Sequence, residues 1–90
     1  MYLHLGQETV VPMREIVGIF DIENTTFSKN TRTLLNQAQS NGCVITVGDD
    51  LPKSFVVCQK KGNLPVVYLS QLSCATLLKR AERLSVNFSE

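Results

Sequence analysis

Ninety residues with nine Lys or Arg, eight Asp or Glu and one His give a net charge of +1. That length makes one domain, residues 1–90, and 43% hydrophobic with 19% charged residues is ordinary for a globular protein. A near-neutral balance excludes a strongly basic nucleic-acid binder, and no apolar run approaches the roughly 18 residues of a membrane span.

Met1 opens onto a polar-interrupted strand pattern, without a basic segment leading into an apolar one. No signal peptide and no membrane contact are expected, and a cytoplasmic protein is. Tyr2-Leu3-His4-Leu5 reads as a first strand, Gly6-Gln7-Glu8 as a turn, and Thr9-Val10-Val11 as a short return strand. Pro12 lacks an amide donor and marks a strand end. A third strand runs from Arg14 to about Glu23. Strand side chains alternate, so Ile16, Gly18, Phe20 and Ile22 are expected on one face, with Val17 and Ile19 on the other.

Thr26 or Ser28 is the candidate cap of a helix whose apolar stripe is Phe27, Thr31, Leu34, Leu35 and Ala38. Asn41-Gly42 supplies its left-handed stop. Cys43–Val47 is the next strand, and Gly48–Pro52 a turn. Ser54–Cys58 follows as a strand, again apolar on both faces. Lys60-Lys61-Gly62-Asn63 makes a hairpin tip leading into Val66-Val67-Tyr68-Leu69. Ser70 or Ser73 starts a last helix to about Leu84 with Leu77, Leu78, Ala81 and Leu84 as its stripe, and Ser85–Glu90 is expected to fray. The fold class is α+β: a small, mostly antiparallel sheet with two helices. Strands apolar on both faces need cover on both. A short chain struggles to provide it, so a second copy is the expected second cover, and a ring-like homo-oligomer the expected assembly.

No nucleophile–base pair, carboxylate cluster, metal set or phosphate loop stands at recognisable spacing, so an enzyme is not expected. Cys43, Cys58 and Cys74 are far apart and read as buried reduced thiols, with no metal or other cofactor expected. Asp49 and Asp50 read as turn residues, and His4 as a polar-face residue beside Tyr2. Residues 1–50 carry three cations and six acids, −3, whereas residues 51–90 carry six cations and two acids, +4. That asymmetry permits a basic face. Lys79, Arg80 and Arg83 read as a solvated helix face or an anion-binding one. Arg14, held behind Pro12 at a strand start, fits either phosphate oxygens or an ion pair with Glu15 or Asp21.

Five segments carry a resemblance along nearly the whole chain. They are Met1–Gly6, Arg14–Asp21, Pro52–Val57, Tyr68–Ser70 and Thr76–Arg80. In this order they resemble the RemA/RemB family of small biofilm-matrix regulators of spore-forming bacteria. The resemblance implies a DNA-binding transcriptional regulator of extracellular-matrix genes that assembles into a ring with repeated basic contacts outside. Arg14 matches the family arginine before the third strand. Asp50 and Leu51 stand where an arginine pair is found in the RemA branch, leaving Lys53 as the nearest cation. If DNA is bound, Arg14 is the main contact expected and Lys53 the second, with the basic helix face of Lys79, Arg80 and Arg83 a more distant candidate. The second reading is an interaction scaffold that binds no DNA and partners a related RemA-type regulator.

Overall fold

The computed structural model describes residues 1–23 and 28–89. Strands β1 (Tyr2–Gly6) and β2 (Thr9–Pro12) form an antiparallel hairpin, and a 3-10 turn over Met13–Glu15 leads into β3 (Ile16–Asp21). Then come α1 (Lys29–Ser40), β4 (Val44–Thr46), β5 (Ser54–Cys58), β6 (Val66–Ser70) and α2 (Cys74–Ser89). The hairpin is a sheet of its own. The other four strands are ordered β3-β5-β6-β4, with β5 antiparallel to both neighbours and β4 parallel to β6. The α+β class and mostly antiparallel pairing are as expected. No helix among the described residues is long and apolar enough to cross a membrane.

Local chemistry explains the helix ends. The Ser28 side chain accepts from the Thr31 amide at 3.2 Å and caps α1, while Thr26 and Phe27 lie outside the described residues. Gly42, at φ +68, follows the C-terminal Asn41 as the stop. Ser73 accepts from the Thr76 amide at 3.1 Å and plays the same role before α2. That helix runs past Leu84 to Ser89, longer than expected, because Ser85–Ser89 contains neither Gly nor Pro to end it. Glu90 lies outside the described residues.

Both faces of β5 are covered from within the chain. Val56 and Cys58 join Leu3, Leu5, Val11 and Leu77, the hairpin and α2 side. Phe55 and Val57 join Ala38 and Val67, backed by Leu34 and Leu35 of α1. All five residues of β5 are buried. The expectation that a second copy must cover this strand is therefore corrected: α1 supplies one cover, and the hairpin with α2 the other.

The expected alternation along β3 is also corrected. Ile16 pairs with Cys58 and Gly18 with Val57, so two residues of β3 advance the register by one, and Val17 bulges out half exposed. Ile16 and Ile19 consequently share the hairpin side, and Phe20 turns to the other. There it stacks on its cross-strand partner Phe55, with ring centroids 5.1 Å apart and planes at 26°.

Candidate nucleic-acid interface

Alternation in β1 sends Leu3 and Leu5 into the core and leaves Tyr2 and His4 outside, beside Val10 of β2. The His4 ring donates from Nε2 to the Gln7 carbonyl at 2.7 Å, which fixes the ring against its own turn. Arg80, on α2, donates from Nη1 to the His4 carbonyl at 3.3 Å. One exposed cation is thereby tethered to the outer hairpin.

Arg14 approaches the other end of the same strand. Pro12 pairs with Tyr2 and fixes the entry to the 3-10 turn, and the Met13 amide donates to the Met1 carbonyl at 2.9 Å. On the far side the Glu15 carbonyl accepts from the Gln59 amide at 2.8 Å. The backbone around Arg14 is held on both flanks while its side chain is exposed. Met1 and His4 are three residues apart, so the anchors of Arg14 and Arg80 stand about 10 Å apart along the strand. Asp21, one candidate ion-pair partner of Arg14, lies at the other end of β3 and accepts the Glu23 amide at 2.8 Å.

The expected contacts do not all converge. Arg83 lies three residues beyond Arg80, on the same side of α2, and is exposed. Lys79 is exposed but turned about 100° away around the helix. Lys53 precedes β5 and its carbonyl accepts from the Ile22 amide at 3.2 Å, at the end of β3 remote from Arg14. With about 3.4 Å per residue, some 17 Å of strand separates the two. The missed neighbours of Arg14 are Lys60 and Lys61, which follow Gln59. Antiparallel pairing of the third and fifth strands, both legible in the sequence, was the signal that could have found them.

The loop between β4 and β5 is held rather than loose. Gly48 adopts φ +90, where a side chain is strained, and the Gln71 side chain fills the space a Cβ would need. With its amide oxygen toward the loop, Gln71 accepts from the Asp49 amide at 2.8 Å and from the Asp50 amide. Asp49 and Asp50 are exposed at the Lys53 end, so they do not shield Arg14. The three cysteines are free, Cys43 just before β4, Cys58 at the end of β5 and Cys74 at the start of α2. Cys58 is buried as expected, whereas Cys43 and Cys74 are only half-buried. Among the described residues no group of His, Cys, Asp and Glu is placed to hold a metal ion.

No family model matches the chain. A curated relative does. Over 84 residues it is 38% identical to extracellular matrix regulatory protein B of Bacillus subtilis (strain 168), covering 91% of this chain and 91% of that protein. An identity of that level across both chains, together with the ordered segments from Met1 to Arg80, leaves one conclusion: this chain belongs to the family of extracellular matrix regulatory protein B.

Proposed function

We propose that the protein is a non-enzymatic, cytoplasmic regulator of extracellular-matrix genes that binds DNA as a ring-shaped homo-oligomer. Its contacts go to phosphates through Arg14, Arg80 and Arg83. The observation carrying this reading is a pair of exposed arginines anchored at two points of β1, Arg14 on the turn held by the Met13–Met1 hydrogen bond and Arg80 on the His4 carbonyl. The name of the curated relative supports the regulatory role. Phosphate contacts position a duplex without reading bases, so binding is expected to tolerate sequence. Each copy offers few contacts, and repetition around a ring multiplies them.

The second reading is an oligomeric scaffold that partners a RemA-type regulator without touching DNA. What favours it is Asp49-Asp50-Leu51, an acidic and apolar surface where the resembling family has an arginine pair. A gel-shift titration of purified protein against mixed DNA, at two salt concentrations, separates the two. The DNA reading expects the log–log salt slope to approach about −0.9 per phosphate neutralised. Arg14→Ala should remove most affinity, and Arg80→Ala or Arg83→Ala part of it. Lys53→Ala, at the opposite end of the sheet, should leave it nearly unchanged. A folded wild type without salt-sensitive binding overturns the DNA reading in favour of the scaffold.

A further inference from the structure

The loop between β5 and β6 runs Gln59-Lys60-Lys61-Gly62-Asn63-Leu64-Pro65. A lysine-bearing tip commonly guards a strand edge against stray pairing. That reason does not apply here, because the order β3-β5-β6-β4 leaves both strands that the loop joins inside the sheet. Lys60 and Lys61 have no edge to protect, and both are exposed.

The sheet fixes where they stand. Ile16 pairs with Cys58, and the Gln59 amide donates to the Glu15 carbonyl at 2.8 Å, which extends the antiparallel pairing by one step. One residue further along each segment are Arg14 and Lys60, so their backbones are roughly 5–10 Å apart. The loop itself is closed: the Asn63 amide donates to the Lys60 carbonyl at 2.9 Å, Gly62 takes φ +85, and Pro65 is buried. Three cations are therefore carried on two held turns, and little backbone entropy is left to lose on contact. Among residues 12–16 and 59–65 the one acid is Glu15. It is half-buried, and its carboxylate lies close enough to Cys58 to add to the effect of burial on that thiol.

We infer that Lys60 and Lys61 bind the DNA backbone beside Arg14, so that the Met13–Glu15 turn and the β5–β6 loop hold one stretch of phosphates together. Charge complementarity names the occupant: the cluster offers a guanidinium fork and two mobile ammonium groups, and duplex DNA offers closely spaced anions. The anchors of the cations follow one another from the His4 carbonyl, through the Met1 carbonyl, to the Glu15–Gln59 bond. That path crosses from the hairpin to the main sheet, so the DNA footprint extends onto the second sheet. The inference rests on the DNA reading of the proposed function and deepens it.

Gel-shift titrations of the purified full chain against mixed duplex, over a series of salt concentrations, compare wild type with K60A/K61A. The log–log slope should become shallower by about 0.9 for each lysine on every subunit touching the duplex. K60R/K61R keeps the charge and should keep the slope. Lys53→Ala removes a charge at the opposite end of the sheet and should not move it. Circular dichroism and light scattering check that K60A/K61A is folded and of wild-type mass. Amine acetylation of the wild type with and without duplex, read by mass spectrometry, needs no variant: DNA should protect Lys60 and Lys61 and leave Lys53 reactive. If K60A/K61A misfolds or changes mass, the acetylation result alone decides. A folded K60A/K61A with the wild-type slope, or Lys60 and Lys61 acetylated equally with and without duplex, overturns the inference while DNA binding stands. A wild type without salt-sensitive binding overturns both.

Discussion

Cys58 lies on the central strand among the residues of the hairpin-side cluster, and burial, reinforced by the Glu15 carboxylate, pushes its thiol up to about 12. An unfolded thiol gives up its proton near 9.0. Between those values the unfolded chain ionises and the folded one does not, so the unfolded state holds fewer protons and stability falls as pH rises. Below pH 9 neither state is ionised and the contribution is intact. Denaturation midpoints at pH 8 and 10.5 should therefore differ, and Cys58→Val should reduce the difference. It should not abolish it, because Tyr68 is also raised, chiefly by burial, and acts with the same sign. Where a cysteine would be buried was readable from the strand pattern around Phe55–Cys58. The half-exposure of Cys43 and Cys74 was not, since both stand at element ends whose cover comes from the tertiary fold.

Between elements, the hairpin is joined to the main sheet by polar atoms as well as apolar ones. The buried Ser70 hydroxyl, at the end of β6, donates to the Leu5 carbonyl at 2.6 Å and accepts from the Leu72 amide at 3.1 Å. Its cross-strand partner Ser54 donates to the Leu72 carbonyl at 2.8 Å. Ser70→Ala leaves a buried carbonyl and an amide without their partner, which should cost about 1–3 kcal/mol. Urea denaturation checks the figure, and an unchanged m-value would show that the loss is one of stability alone. Every strand was legible from its apolar pattern and its Gly or Pro boundaries, because those are local properties. The Val17 bulge was not. It depends on β3 meeting β5 in a register that brings Phe20 onto Phe55, and no local rule states that. The candidate site divides the same way. Arg14 was legible as a held cation behind Pro12, whereas the grouping of Arg80 with β1 rests on a contact across 76 residues of sequence.

For the whole molecule, charge by chain half was a poor guide to charge in space. The fold brings Asp49 and Asp50 to the same end as Lys53, and sets Lys60 and Lys61 beside the Arg14 turn. Connectivity has a comparable long-range logic, with consequences for how the chain folds. β5 and β6 are neighbours in sequence joined by a short loop, so their pairing needs little loop closure and can form early. The Ser70–Leu5 bond spans 65 residues and must form late. Val57→Ala, in the early pair, should mainly slow refolding, whereas Leu5→Ala, in the late contact, should mainly speed unfolding; stopped-flow chevrons distinguish the two. On the ribosome the order of events is inverted. The hairpin bearing Leu3, Leu5 and Val11 emerges before the surfaces that cover it, which are on β5, β6 and α2. A nascent chain that has not yet exposed Ser70 holds those apolar side chains without their cover, so the fold closes as a unit only after β5, β6 and α2 have emerged.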